Sequence, residues 1–414
     1  MNNTWKIKKL LDVCEVFTDG DWIEKKDQSL SGIRLIQTCN IGSSIFKDRE
    51  EKARYISEIT FKKLRCTEIF PNDCLISRLP DPVGRSCIIP DVKEPMITVV
   101  DCTIVRFQKK IIIPKWFIYY TLSQEYQIQI NRKISGATRQ RISRNNLGLI
   151  DVPLPSLTEQ RRIVTILDKV FSAIDEEKSN AEKNLRNVKL IFDCYLNCVL
   201  ADKKWDRKII GEVCDRVEYG SSSKSKQVGE VAVLRMGNIQ NGRFIWDKLV
   251  YSDDADDNRQ YFLKYNDVLF NRTNSPELVG KTAIYKGEMP AIFAGYLIRL
   301  HRKEKILDAD YLCYYLNSEM AIKYGKTVVI SSVNQANING TKLKGYPIPC
   351  PPLKDQQVIV QKLDVLSAKT KKLEAIYQAK INKLEKLKKS FLHKAFSGEL
   401  SEHTDVNTNS KVHA

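Results

Sequence analysis

At 414 residues the chain is too long for one ordinary domain, and 43% hydrophobic with 28% charged residues is the composition of a soluble protein with real cores. A formal charge of +17 argues for a polyanionic partner, DNA or RNA first among them. No run approaches the roughly 18 apolar residues of a membrane span, and residues 1–10 hold no apolar signal-peptide core. Eleven scattered cysteines without a Cys-x-x-Cys pair fit reduced thiols, so a cytoplasmic protein without membrane contact is expected. Cys194 and Cys198 stand i, i+4 with no histidine nearby, which argues against a metal site, and four histidines leave little for imidazole catalysis.

From residue 5 to about 152, short apolar runs alternate with Gly, Asn, Asp and Pro turns. Residues 96–100 and 102–107 are rich in β-branched and aromatic side chains and read as strands, and a helix is expected over 114–129. A proline-rich stretch follows, and beyond it the apolar period changes from 2 to 3.6. Leu167, Phe171, Ile174, Ala181, Leu185, Val188 and Phe192 mark one face of a long helix.

The chain then repeats itself. Trp5 to Cys14 lines up with Trp205 to Cys214, Leu35 to Ile41 with Leu234 to Ile239 after one skipped residue, and Asn72 to Arg78 with Asn266 to Arg272. Trp116 to Tyr120 answers Tyr311 to Tyr315, and Val152 to Gln160 answers Ile348 to Gln356. Order is kept and the offset stays between 194 and 200 residues, which chance similarity does not do. Residues 291–294 read as a strand and 309–324 as a helix in the second copy, before Leu363, Leu366, Leu373, Tyr377, Leu384, Leu387 and Phe391 mark a second long helix.

Each long helix runs for about 40 residues without a breaker, or about 60 Å. Two of equal length after two homologous domains are best satisfied by antiparallel pairing, each burying its stripe against the other. Lys178 and Lys380 fall on or near that seam, where an irregularity or a third packing partner is expected. The polar tail 401–414 is expected to be disordered.

Catalytic machinery is not legible. There is no Gly-x-Gly-x-x-Gly, no Walker loop and no Asn/Asp-Pro-Pro-aromatic segment of an adenine methyltransferase. Pro80-Asp81 with Asp91-Val92-Lys93 matches a sparse carboxylate-carboxylate-lysine nuclease pattern. These are common turn residues, the second copy lacks the spacing, and a surface loop is the preferred reading.

The tandem plan, the Tyr219-Gly220-Ser221-Ser222 start, the Asn-Asp-x-Leu blocks at Asn72 and Asn266, the Pro-x-Pro-x-Leu-x-Glu/Asp-Gln elements and the terminal Phe396-Ser397-Gly398-Glu399-Leu400 together resemble the type I restriction-modification specificity subunit family. The first domain departs in carrying Gly20-Asp21-Trp22 where the family more often has Gly-x-Thr-Pro, and residues 194–202 carry no Gly-Glu-Leu counterpart. The resemblance implies an α+β chain: a target-recognition domain over 1–152, a spacer helix over 153–200, a second recognition domain over 201–348, a second spacer helix over 349–400 and the tail. The implied function is non-catalytic: reading a bipartite, asymmetric double-stranded DNA target while docking two methyltransferase subunits and restriction subunits. No cofactor is expected on this chain; S-adenosylmethionine, ATP and Mg²⁺ belong to the partners. A stand-alone nucleic-acid-binding protein and a helical scaffold with incidental charge are the rival readings.

Within that frame Arg78 and Arg272, at equivalent strand ends, are candidate DNA contacts, with a structural ion pair as the alternative. Arg139, Gln140 and Arg141 in one polar loop answer Asn334, Gln335 and Asn337 in the other. A basic loop suits guanine or phosphate and an amide loop suits adenine, so the two copies are expected to read different bases. Asn40 and Asn238 read as turn-capping residues, Trp5 and Trp205 as core anchors, and Glu159-Gln160 and Asp355-Gln356 as helix-start residues.

Overall fold

The computed structural model describes residues 5–332 and 335–400, with 331 and 332 described in their backbone alone. The expected tail lies outside the described residues. The chain divides into two units, 1–180 with 380–414 and 181–379, so each long helix is shared between them.

In the first unit the apolar runs become an antiparallel sheet in the order Cys14–Asp19, Cys102–Phe107, Cys74–Ser77, Ser86–Ile88. A second sheet orders Gln28–Ser29, Tyr55–Ile56, Ile33–Ile36, Met96–Thr98 and Glu68–Ile69, with Leu35 opposite Ile97 in a parallel pair. Lys6–Lys9 pairs with Asp151–Leu154, tying the start of the domain to the strand that leads into the long helix. The second unit repeats the first sheet strand for strand: Cys214–Tyr219, Leu297–Arg302, Val268–Asn271, Thr282–Ile284. Its counterpart of the second sheet keeps three strands, Tyr251–Ser252, Val231–Leu234 and Ala291–Phe293, again with a parallel pair, Val233 opposite Ile292.

The helices expected over 114–129 and 309–324 are each two helices. Pro114–Thr121 gives way to Gln124–Lys133, and Ala309–Leu316 to Glu319–Val328. Ser123 and Ser318 stand between them, their hydroxyls accepting the backbone N–H of Tyr126 and Ala321. An apolar period cannot reveal this break, because a capping serine ends one helix and starts the next without disturbing the stripe.

The proline-rich elements are fixed from beneath. The Trp116 indole donates to Pro153 O at 2.9 Å, and the Tyr311 hydroxyl to Pro349 O at the same distance. The fourth residue of each long helix is a fully buried glutamine. Gln160 accepts from Ile113 N and donates to Ile111 O and Pro155 O; Gln356 accepts from Asp308 N and donates to Ile306 O and Pro351 O. Each amide therefore locks a helix start onto the loop of its own recognition domain. Its neighbour Glu159 forms an ion pair with Arg162, and Ser156 caps the turn.

The long helices are Leu157–Leu200 and Leu353–Ser397, 44 and 45 residues, each about 66 Å at 1.5 Å per residue. They pair antiparallel. In the first unit Asp175 meets Lys388 at 2.8 Å and Lys178 meets Glu385 at 2.7 Å. In the second, Leu196 and Leu200 share a core with Ile359, Val360 and Leu363. The irregularity expected at the lysines is not present: both helices run through unbroken, and Lys178 and Lys380 reach carboxylates on the facing helix, Glu385 and Glu177. A long flexible stem lets a lysine cover the seam while its ammonium reaches outward. The C-terminal end of each helix is buried in a domain core, Phe396 against Trp116 and Tyr120 in the first unit and Leu200 in the second.

Buried charge is met by partners: Arg85 donates to the carbonyls of Thr38, Ile41, Leu79 and Pro82, and Arg299 is paired with carboxylates. Arg299 grips Glu218 through Nε and Nη2 and reaches Asp267 at 3.0 Å, while His301 Nε2 lies 2.8 Å from Glu218. Burial alone would raise the Glu218 carboxyl, but the hydrogen bonds from His301 and Arg299 together outweigh it and hold the group below the usual range.

Two outcomes follow. Replacing Gln160 or Gln356 by Leu strands a buried N–H and a buried carbonyl, and is expected to cost on the order of 2–4 kcal/mol; an unchanged urea midpoint would count against the lock. Glu218→Gln should lower stability at pH 7 by about 1–3 kcal/mol. Because the folded pKa is depressed, this contribution is complete above the unfolded value of about 4.3 and fades as pH falls through the folded value. Denaturation curves of wild type and variant should therefore converge in acid, and a gap independent of pH would exclude the linkage.

Candidate nucleic-acid interface

Four of the candidate site residues, Arg78, Arg141, Arg272 and Asn337, fall on one repeated backbone row. In the first unit Arg78 N donates to Asp101 O at 2.9 Å and Ile142 N donates to Arg78 O at 3.2 Å. In the second, Arg272 N donates to Tyr296 O at 3.0 Å and Ile338 N to Arg272 O at 2.9 Å. Three segments distant in sequence thus lie side by side, ordered 101, 78, 141 and 296, 272, 337. This register equates Arg141 with Asn337.

The two central arginines serve the row from within. Arg78 is 4% exposed; it donates to Val100 O at 2.6 Å and pairs with Asp19 at 3.2 Å. Burial pushes its guanidinium below the ordinary value, with Asp19, Arg141, Asp101 and Arg144 all acting on it electrostatically. Arg272, half-buried, donates to the equivalent carbonyl of Gly295 at 3.1 Å and lies 4.8 Å over the Tyr219 ring. Each keeps a buried Nε without a partner among the described residues. The ion pair of the structural reading is seen for Arg78, with Asp19, whereas Arg272 is held by the Gly295 carbonyl and the Tyr219 ring; both join strand end, neighbouring loop and domain start.

The polar loops are presented outward. Arg139, Gln140 and Arg141 are exposed, and Ser135 and Arg141 exchange both backbone hydrogen bonds at 2.9 Å. Gly136 closes this loop at φ +100°, where a Cβ would stand 2.4 Å from Arg139 O. Arg141 Nη2 lies 3.2 Å from Asp101 Oδ1. Arg144, also exposed, follows Ser143 at the start of the short helix Arg144–Gly148. In the second unit Gln335 is exposed, and Asn337 is half-buried and donates to Thr273 Oγ1 at 2.8 Å. Asn334 lies outside the described residues.

The domain starts meet the same rims. A Cβ on Gly20 would stand 2.3 Å from Thr98 O, and one on Gly220 2.2 Å from Phe293 O, so both positions need glycine whatever follows them. Asp21 N and Ser221 N donate to those same carbonyls.

Other candidates resolve into structural parts. Asn40 accepts from Gln37 N and donates to Lys47 O, and Asn238 accepts from Arg235 N and donates to Ile245 O. Trp5 packs edge-on against Trp116 at 5.6 Å, and Trp205 lies under the Lys204 ammonium. Asp81, Asp91 and Lys93 are exposed, and Asp91 accepts the backbone N–H of Lys93 in a tight turn. Among the described residues no group of three or more His, Cys, Asp or Glu side chains is placed to hold a metal, and no helix is long and apolar enough to cross a membrane.

Sequence reasoning missed Asp101, Arg144, Tyr296 and Tyr219. The signal available was alignment of Val99-Val100-Asp101 with Ala294-Gly295-Tyr296, which falls between two repeat blocks. Tyr296 is 51% exposed where the first unit has Asp101.

The tandem plan has known relatives. The family described as "Type I restriction modification DNA specificity domain" matches residues 2–184 and again 202–386. The StySPI specificity subunit of Salmonella potsdam is 26% identical over 310 residues, 71% of this chain and 67% of that protein. The EcoKI specificity subunit of Escherichia coli K12 is 25% identical over 318 residues, 72% and 68% of the two chains. Among solved structures, a chain from a study of complex assembly and conformational transition of the type I R-M system superposes with a TM-score of 0.76 at 19% identity, over 96% of this chain and 98% of that one. The HsdS subunit of Thermoanaerobacter tengcongensis gives 0.60 at 19% identity over the same shares. With two family matches in tandem that together span most of its length, the chain belongs to the type I restriction-modification specificity subunit family.

Proposed function

We propose that the chain is the non-catalytic DNA-reading subunit of a type I restriction-modification complex working in the cytoplasm. Each unit reads one half of a split, asymmetric double-stranded DNA target through its rim. The observation that carries this reading is the repeated row itself: one backbone framework presents Asp101 and Arg141 in one copy, and Tyr296 and Asn337 in the other. A conserved scaffold with divergent outward chemistry is what two readers of different half-sites require. In this scheme Arg139, Gln140, Arg141, Asn334, Gln335 and Asn337 are the DNA-facing residues, and Arg78 and Arg272 hold the rims on which they stand. The charge of +17 supplies sequence-independent attraction to the backbone.

The paired helices set the gap between the half-sites and dock two methyltransferase subunits, with restriction subunits joining that core. Val358, Val365 and Ile376 leave apolar surface exposed along one face of the second long helix, which supports a protein partner there. S-adenosylmethionine, ATP and Mg²⁺ are held by the partners. The names of the relatives, specificity subunits of type I restriction enzymes, support the same assignment.

In the assembled complex, Arg141→Ala should weaken recognition of one half-site and leave the other intact, read by methylation of a randomised target library. Equal loss at both half-sites would defeat split reading. Deleting one or two helical turns within residues 371–387 should move the gap between half-sites or abolish assembly. An active complex with the original gap would rule out the ruler.

A further inference from the structure

The geometry around Arg141 narrows what its guanidinium can read. Its backbone is fixed on both sides, by the reciprocal pair with Ser135 and by the bond from Ile142 N to Arg78 O. Its guanidinium meets Asp101 through Nη2 at 3.2 Å, with the side chains 46% and 26% exposed. Asp101 is itself held, because its carbonyl receives Arg78 N. A pair this exposed adds little to stability, about 0–1 kcal/mol, so stability does not explain a carboxylate placed behind an outward-facing arginine. Such a carboxylate does two other things. The ion pair draws the guanidinium toward Asp101 and so narrows the directions in which its N–H donors point. It also cancels much of the local positive charge and repels a phosphate, while leaving attraction to a neutral edge with two acceptors intact.

Guanine is the base that offers two acceptors, O6 and N7, on its major-groove edge. Arg139 and Arg144 flank the pair, are exposed, and form no ion pair among the described residues, which leaves them suited to phosphate. Among the described residues the second rim has no such device. Tyr296 replaces the carboxylate, and Asn337 replaces the arginine with its amide turned to Thr273 Oγ1.

We propose that Asp101 is a positioning residue that holds Arg141 as a reader of one guanine in the first unit's half-site, with Arg139 and Arg144 gripping the flanking backbone. This rests on the split-reading function proposed above. The test uses the complex reconstituted with its methyltransferase subunits, a library randomised at every target position, and two salt concentrations. Wild type should require guanine at a position that Arg141→Ala relaxes. Asp101→Asn should relax that same position on the order of tenfold, with the other half-site unchanged, Asp101→Glu partly restoring it, and the double variant no worse than Arg141→Ala. Arg141→Lys keeps the charge and loses the fork that the carboxylate orients, so it should weaken the guanine preference, make it insensitive to Asp101→Asn, and keep the salt slope. Arg139→Ala should instead weaken all sequences and reduce the salt slope by about 0.9.

Uniform weakening and a reduced slope for Arg141→Ala would overturn the proposal, as would an Asp101→Asn complex that still demands the same base. A wild-type complex that selects no split target would overturn the underlying function instead, and is recognised by loss of selectivity before any variant is made.

Discussion

The structure depends on the burial of each long helix at both ends in a domain core. Gln160 and Gln356 lock the starts with three hydrogen bonds apiece, and Phe396 and Leu200 bury the ends. An apolar side chain of this size buried from water contributes about 1.5–3 kcal/mol, and the stranded groups left by a missing amide would cost as much again. A helix anchored this way cannot rotate or slide without exposing its end or breaking the amide's bonds. Each domain core therefore draws on two helices, the one that begins in it and the one that ends in it. The rims inherit that rigidity.

The same economy governs the rims. Backbone hydrogen bonds, which carry no side-chain identity, hold three strands of chain in a row in both units. Arg78 and Arg272 then fill the space beneath, each on an equivalent carbonyl, one against Asp19 and the other against the Tyr219 ring. An arginine suits this place because its fork can meet a carbonyl, a carboxylate or an aromatic face with the same geometry. What stands on the row is free to vary because the row does not depend on it. That separation lets two domains of common origin present different side chains on one framework.

Charge is distributed to match. The basic surplus is a property of the surface, where long-range attraction to a polyanion acts. Buried cations are met at short range: Arg34 by Asp48 and Glu94, Arg299 by Glu218 and Asp267, and Arg85 by four backbone carbonyls. Along the helices the pairs Asp175 with Lys388 and Lys178 with Glu385 contribute little energy each, but like charges opposed at a shifted register would be unfavourable, so they favour one alignment.

The duplication, the strands at 96–100 and 102–107, the two long helices and the family were legible in the sequence, because each is written in local period, in local composition or in spacing repeated along one chain. The buried glutamines were visible as a repeated motif, though their role was read only as belonging to a helix start. The serine breaks at 123 and 318 were hidden by an apolar stripe that continues across them. The lysines on the seam looked like defects, since a heptad pattern counts positions and does not see the carboxylate that faces them. Of the candidate site, the polar loops were legible as exposed loops, whereas the burial of Arg78 and the places of Asp101 and Tyr296 beside the arginines were not. Those gaps have one cause. Whether a charged side chain faces solvent or a carbonyl depends on which distant segments lie beside it, and residues 78, 101 and 141 meet only when the sheet brings them together. Sequence determined that there are two copies of one reader; tertiary structure alone decided which side chains those copies present, because the presenting row is made of contacts between residues far apart in the chain.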